Sequence, residues 1–419
     1  MKPTKESHNL MSFFLKNNCL FPLSQTSKTK MLFTKLYKEI HEGVNYIENV
    51  KSKLGSSFYK LKVDHISNIH QIPKPSTFPP NAFPPSIRHH IDEFSLSVLT
   101  YSFNLFDRNI QIIFVTEELH PESLIETYNK SVDWMLVWLY IVNEYAARTC
   151  SPDLKIFIYH TSLTKQLPSS NIEVLEEKHV NTAFTRTCQK NAEIIVFRKE
   201  EWFKVFIHET FHNFGLDFSD MNNSSCTKKI LSIFPVNSEV NLFESYTEFW
   251  ARIMNVLFCS YIHSGSKNVE DYLKYSEMLI NFERIYAFFQ MVKVLNFMDI
   301  EYEQLYEKGK NATNVRNHLY KENTNVLSYY IITLILINDY QTFLSWCNTN
   351  NTSILQFKKT NANLDHFCEF IKKSYKSKGL LNGINCTEEL LTKVKQKSKK
   401  QKNLAYILRN LRMTICELG

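Results

Sequence analysis

The stretch VFIHETFHNF at residues 205–214 decides the fold prediction. Apolar residues surround its two histidines and no proline interrupts it, which predicts a helix over 200–214 that is buried on the histidine face. Gly215 follows as a C-terminal stop signal. His208 and His212 are four residues apart, so they lie on one face of this helix, one turn from each other.

This spacing allows both imidazoles to reach one tetrahedral metal ion, with metal–nitrogen distances of about 2.0–2.1 Å. Glu209 lies between the histidines, too close to be a third ligand. It is well placed to take a proton from a metal-bound water. The alternative is a structural helix whose histidines bond each other or the backbone. The uninterrupted apolar surroundings favour the metal site.

A catalytic zinc site needs a third protein ligand and an open fourth position. In the pattern HExxHxxGxxH the third histidine would occupy position 218, after the turning glycine at 215. Phe218 stands there, so the three-histidine class is excluded. Asp217 remains an alternative third ligand.

A second candidate for the third ligand lies in the segment NLFESYTEFWAR at 241–252. Glu244 and Glu248 are four apart on a largely apolar helix, where unpaired acids are costly to bury. We therefore predict Glu244 as the metal ligand. We predict that Glu248 accepts the spare ring N–H of a ligating histidine, with His208 as the expected partner. The alternative is an exposed acidic edge with Arg252 as its partner.

HETFH followed 32 residues later by ESYTE resembles the gluzincin zinc metallopeptidases, whose signature is HExxH plus a helical ExxxD or ExxxE. The segment EEWFKVFIHETFHNFGLDF resembles uncharacterised, predicted metallopeptidases of large nucleocytoplasmic DNA viruses. The specific similarity covers about residues 178–258. It implies one Zn²⁺ per chain, bound by His208, His212 and Glu244. It also implies peptide-bond hydrolysis by a metal-activated water with Glu209 as general base.

The same resemblance implies an edge strand that precedes the active-site helix and binds substrate backbone by β-augmentation. The segment 179–185 lies at a suitable distance, with Asn181 and Ala183 as candidate contacts, although an ordinary hairpin strand fits equally well. Gluzincins also use a downstream His or Tyr to stabilise the oxyanion. The candidates for that role are His263, Tyr329 and Tyr330.

The pattern along the chain predicts an α+β fold. A zincin-like catalytic core with a small sheet and the active-site helix precedes a mostly helical C-terminal lobe. We predict an N-terminal helical segment with a Pro-rich strap at 1–87, the core at 88–262 and the lobe at 263–419. The predicted strands are 109–116, 154–160 and 193–197. The predicted helices are 30–50, 123–148, 200–214, 241–262, 269–298, 326–346, 363–377 and 388–415.

Composition excludes several classes of function. The chain has only 8 glycines in 419 residues and contains neither GxGxxG nor GxxxxGK[ST], so no nucleotide site is expected. A formal charge of +7 is modest for this length and disfavours a nucleic-acid partner. The lysines at 393, 395, 397, 399, 400 and 402 are predicted to be a solvated helix face. The apolar run 326–337 is shorter than the ~20 residues of a membrane span.

Nine scattered cysteines without a CxxC pair predict reduced thiols. With no signal peptide visible, the expected location is an intracellular, reducing compartment and not secretion. If the viral resemblance holds, this means the host cytoplasm or the virion.

The sequence thus predicts a zinc metallopeptidase acting on a peptide or protein substrate. The alternative is a catalytically inactive or metal-stabilised structural or virion-associated protein on the same fold. Glu209 separates the two predictions, because a purely structural metal site does not need it.

Overall fold

A computed structural model describes residues 3–265, 268–398 and 404–418. The chain folds into two compact units, each built from more than one stretch of sequence. The sheet unit comprises Thr34–Thr164 and Asn181–Asp220. The helical unit comprises Met1–Phe33, Lys165–Val180 and Met221–Gly419. The domain boundaries predicted after residues 87 and 262 are not tested by this division and stay a prediction.

The protein is a mixed α+β structure, as predicted. The helices are α1 Lys5–Asn17, α2 Ser27–Leu54, α3 Pro85–Phe94, α4 Ile125–Tyr145, α5 Glu177–Val180, α6 Trp202–Asn213, α7 Ser224–Ile233, α8 Leu242–His263, α9 Val269–Phe297, α10 Lys310–Leu319, α11 Thr333–Asn338, α12 Tyr340–Asn350, α13 Asn361–Ser374, α14 Lys378–Ser398 and α15 Leu404–Arg409. A π-helical turn, Leu327–Ile332, precedes α11. The strands are β1 Lys60–His65, β2 Ser97–Leu105, β3 Arg108–Thr116, β4 Asp153–His160, β5 Leu175–Glu176, β6 Ala183–Thr185, β7 Asn191–Val196 and β8 Glu322–Asn323.

Six strands form one sheet in the order β1-β2-β3-β4-β7-β6. The three central strands β3, β4 and β7 are parallel, and β6 runs antiparallel to β7 at one edge. Their apolar residues are almost continuous, as expected of central parallel strands covered on both faces. In the helical unit, β5 pairs with β8 in a separate two-stranded sheet.

Different elements cover the two faces of the six-stranded sheet. Ile113 and Val115 of β3 belong to a buried cluster that includes Phe83 of the Pro-rich stretch and Ile87 of α3. The side chain of Phe114 points the opposite way and meets Tyr128 of α4, with ring centroids 5.1 Å apart. The sheet therefore lies between the strap with α3 on one face and α4 with α6 on the other.

The Pro-rich stretch is a strap within the sheet unit. The hydroxyl of Tyr159 donates to the carbonyl of Pro73. The Glu193 carboxylate accepts hydrogen bonds from the backbone N–H and hydroxyl groups of Ser76 and Thr77, at 2.6–2.9 Å. These bonds hold the pKa of Glu193 below its usual range although burial opposes them. The Pro-rich stretch is therefore bonded to strands β4 and β7 of the sheet unit.

Two strands of the six-stranded sheet, β1 and β2, were not predicted. β2 and β3 form a hairpin whose two turn residues, Phe106 and Asp107, both have positive φ (60° and 56°). Such a turn normally carries Asn-Gly or Asp-Gly, and this glycine-poor chain lacks that signal. The sequence of this turn therefore gave no signal that would predict a hairpin.

Four cysteines are paired, which contradicts the prediction of nine reduced thiols. Cys150 is bonded to Cys188 in the sheet unit, and Cys19 to Cys386 in the helical unit. The separations of 38 and 367 residues explain why sequence spacing gave no sign of them. The other five cysteines are buried and free. The pairs do not identify a compartment, so the location stays a prediction.

The C-terminal helices differ from prediction at two places. The predicted helix 326–346 is divided into the π-helical turn, α11 and α12. The predicted helix 388–415 is replaced by α14, which begins earlier, and by the short α15. Lys393, Lys395 and Lys397 lie on α14, whereas the lysines at 399, 400 and 402 lie outside the described residues. Among the described helices, none is long and apolar enough to cross a membrane.

Candidate metal centre

The helix that carries the HETFH motif, α6, is fixed within the sheet unit by its apolar residues and by one buried tryptophan. Phe206, Ile207 and Phe211 are completely buried. The indole N–H of Trp138 on α4 donates to the hydroxyl of Thr210 over 2.6 Å, and the same ring stacks on Phe211. These contacts hold the motif from the side opposite its histidines.

The C-terminal end of α6 is closed as the sequence predicts. Gly215 has a φ of 64°, in the left-handed region that glycine tolerates without strain. Its N–H bonds the carbonyl of His212 at 3.0 Å, and the N–H of Leu216 bonds that of Phe211 at 2.8 Å. This pair of bonds is the Schellman arrangement that ends helices.

The two histidines point their Nε2 atoms at the same place. His208 and His212 are 5% and 8% exposed, and their Nε2 atoms are 3.1 Å apart. Two Zn–N bonds of ~2.0–2.1 Å at a tetrahedral angle would separate the nitrogens by about 3.3 Å. The two Nε2 atoms are therefore at a spacing that suits two ligands of one zinc ion.

Glu209 lies next to His208 on the same helix and is only 6% exposed. A carboxylate in such an apolar helix is costly unless it serves a partner or a reaction. Its predicted role as a base beside the histidines stays a prediction.

Asp217 lies on the other side of the His212 ring. Its Oδ2 bonds Nδ1 of His212, while Nε2 of that ring faces His208. The carboxylate is completely buried. Asp217 thus contacts the nitrogen that points away from His208, which does not suit the alternative in which it is the third ligand. The sequence pattern suggested Asp217 only as a ligand and gave no signal for its contact with Nδ1 of His212.

The other two acids of the motif lie on α8 in the helical unit. Glu244 is half-buried in the first turn and accepts a hydrogen bond of 3.0 Å from the hydroxyl of Tyr329. Glu248, one turn later, is completely buried and accepts a 2.8 Å bond from Nε of Arg252. The predicted alternative of an exposed acidic edge is right about Arg252 and wrong about exposure.

The three candidates for the oxyanion role have different positions and hydrogen-bond partners in the helical unit. Tyr329 is bonded to Glu244, as described above. Tyr330 instead donates to the carbonyl of Leu411 over 2.7 Å in the core. His263 ends α8, 19 residues beyond Glu244, which on a straight helix is about 28 Å away. Tyr329 is thus bonded to a predicted ligand, and the oxyanion role of each of the three candidates stays a prediction.

The predicted edge strand is present but shorter than expected. β6 is an edge strand of the six-stranded sheet and contains Ala183. Asn181 lies outside it, and its carbonyl accepts a 3.2 Å bond from Nε of Arg198. Residues 177–180 form the short helix α5 and not an extended strand.

No protein family model, curated protein or solved structure matches this chain.

Proposed function

We propose that the protein is a zinc-dependent peptidase in which His208, His212 and Glu244 bind one zinc ion. The observation that carries the proposal is the 3.1 Å separation of the two buried Nε2 atoms on α6. The third ligand, Glu244, is assigned from the sequence pattern and is a half-buried carboxylate in the first turn of α8.

The donor set suits a catalytic zinc site. Two imidazole nitrogens and one carboxylate oxygen are three protein ligands, and a tetrahedral zinc then has a fourth position for water or substrate. Zinc bound there would lower the pKa of a water ligand toward ~7 and polarise a carbonyl group. Structural zinc sites usually have four protein ligands and no open position.

The residues of the chain provide the rest of the chemistry. Glu209 is the proposed base, which takes a proton from water and returns it to the leaving amine. The hydroxyl of Tyr329 is the proposed donor to the oxygen on which negative charge develops. β6 is the proposed strand that aligns the substrate backbone, with Ala183 as its contact.

A zinc assay separates this proposal from a metal-stabilised structural protein. Purified protein would be analysed for metal and incubated with a peptide library, with and without a chelator. We expect one zinc per chain and cleavage that the chelator abolishes.

The informative variant is Glu209→Gln, which keeps the shape of the side chain and removes the base. We expect unchanged zinc content and a loss of hydrolysis of roughly 100- to 10,000-fold. Glu93→Gln, at an exposed position on α3, serves as a matched control. Zinc without any cleavage in the wild type would indicate the structural alternative, and absence of zinc would contradict the proposal.

A further inference from the structure

Asp217 is held in place by its own hydrogen bonds. Its Oδ1 accepts bonds from the backbone N–H and the hydroxyl of Ser219, at 3.3 and 2.9 Å. The Ser219 hydroxyl is in turn 2.9 Å from that of Thr187 in the loop after β6. One carboxylate oxygen is therefore engaged by the following turn, and the other is directed at His212.

The bond between Asp217 and His212 determines which ring nitrogen is available. Neutral imidazole has one N–H and one lone pair. An acceptor at Nδ1 favours the tautomer with the proton on that nitrogen, which leaves the lone pair on Nε2. In this structure Nε2 faces the corresponding atom of His208. The carboxylate thus selects the tautomer and the ring angle that a shared metal ion requires.

The route of the chain explains how Asp217 reaches this position. The left-handed residue Gly215 reverses the backbone directly after α6. Two residues later the Asp217 side chain meets the ring of the last histidine. The same aspartate, five residues after His212, could not bond Nδ1 if the helix continued.

We propose that Asp217 is a positioning residue that orients His212 for zinc and is not itself a ligand. This inference rests on the proposed zinc site. In this proposal the sheet unit orients His212 through Asp217 alone. Glu244 and Glu248 of the helical unit are not needed for that orientation.

The test measures zinc affinity by competition with a chromogenic chelator. Asp217→Ala should bind zinc ~10–100-fold more weakly than the wild type. Asp217→Asn should lose less, because its amide oxygen can still accept from Nδ1. Asp64→Asn, on the exposed strand β1, is the control and should match the wild type. Ser219→Ala should show a small loss in the direction of Asp217→Ala.

A second measurement does not need zinc. Long-range ¹H–¹⁵N spectra of the metal-free protein report the tautomer of each histidine, and His212→Gln identifies the signal of His212. We expect the Nδ1–H form in the wild type and in Asp217→Asn, and a tautomer mixture in Asp217→Ala.

The outcomes are distinguishable. Losses well above 100-fold in both Asp217 variants would make Asp217 a direct ligand and overturn the positioning role. Wild-type affinity and tautomer in Asp217→Ala would overturn it as well. If Asp217→Ala does not fold, Asp217→Asn and Ser219→Ala decide the question. Failure of the wild type itself to bind zinc would instead contradict the proposed function.

Discussion

The hydroxyl of Tyr329 donates a hydrogen bond to Oε2 of Glu244, with 3.0 Å between the two oxygens. Tyr329 belongs to the π-helical turn Leu327–Ile332. Such turns are rare in proteins as a whole, but many of those that occur lie at functional sites. The turn is tied to the start of α8, because Ser328 donates to the carbonyl of Asn241 over 2.9 Å. The predicted ligand and the predicted oxyanion donor therefore lie together where the π-helical turn meets the start of α8.

Replacing Tyr329 by phenylalanine tests its role. If its hydroxyl stabilises developing charge, Tyr329→Phe should lower kcat about 100- to 1,000-fold while zinc content stays at one per chain. Tyr330→Phe is the matched control. It removes the bond to Leu411 and should cost about 1 kcal/mol of unfolding free energy without lowering kcat. Equal kcat values for the two variants would remove Tyr329 from the chemistry.

Glu244→Gln tests the third ligand. Because a neutral amide is a poor zinc ligand, we expect a loss of affinity greater than that of Asp217→Ala. The weaker affinity should also reduce the stabilisation by bound zinc. Zinc present at 1,000 times its Kd would stabilise the folded state by about 4 kcal/mol, and a higher Kd lowers this contribution. Chelator competition and thermal unfolding with and without zinc measure both effects. Zinc binding and stabilisation equal to the wild type would exclude Glu244 as a ligand.

Glu248→Ala tests the buried ion pair of α8. Glu248 and Arg252 have side chains that are 1% and 3% exposed. Removing the acid leaves the guanidinium buried without this partner, which should lower the unfolding free energy by about 3–5 kcal/mol. Urea unfolding of the metal-free protein measures this loss.

The same variant tests the predicted bond between Glu248 and a zinc ligand. If Glu248 accepts the ring N–H of His208, Glu248→Ala should also bind zinc about 10–100-fold more weakly. Arg252→Ala breaks the same ion pair but keeps the carboxylate, so its zinc affinity should stay near that of the wild type. Similar zinc losses in both variants would mean that packing, not histidine orientation, is responsible.

His160 provides a pH prediction that involves none of the candidate metal ligands. Its ring lies between those of Phe114, Tyr128 and Trp202. Within the described structure, its buried Nε2 has no hydrogen-bond partner. Burial, aided by the charge of Lys199, lowers the pKa of His160 to about 3. The unfolded ring, with an ordinary pKa near 6.5, binds the proton more readily over that interval, so stability should decrease as pH falls below about 6.5.

The matching variant is His160→Phe, which keeps an aromatic ring and removes the titrating group. Between pH 6.5 and 4.5 the wild type should lose on the order of 2 kcal/mol more unfolding free energy than this variant. Urea unfolding in the presence of a chelator measures the difference without interference from metal loss. His89→Phe, at an exposed position, should behave as the wild type. Parallel pH profiles for the wild type and His160→Phe would contradict the prediction.

Local patterns in the sequence were sufficient for the elements that are apolar and regular. The helix at 200–214 and the three parallel strands were predicted within a few residues of α6, β3, β4 and β7. Their signals are periodicity and a glycine stop, which act over one or two turns. The His208–His212 pair belongs to the same category, because helix geometry alone sets its spacing.

Features that depend on distant partners were not predictable in this way. Residues 410–415 were predicted as the end of a helix, yet they belong to a buried irregular segment that continues through Cys416. The Glu283 carboxylate accepts from the backbone N–H groups of Ile415 and Cys416, at 3.0 Å each. That partner lies more than 130 residues away in the sequence, so no local window contains it. The contact of Asp217 with Nδ1 of His212 is short-range, but it depends on the reversal at Gly215.

The packing of α1 has a consequence for the order of events during protein synthesis. Phe14 of α1 contacts the rings of Tyr286 and Phe289 on α9, more than 270 residues later in the chain. At ~5–20 residues per second, the ribosome needs on the order of tens of seconds to produce that partner. During this interval the apolar face of α1 stays exposed on the growing chain, where a chaperone could bind it. Helix α1 therefore completes its packing only after α9 has been synthesised.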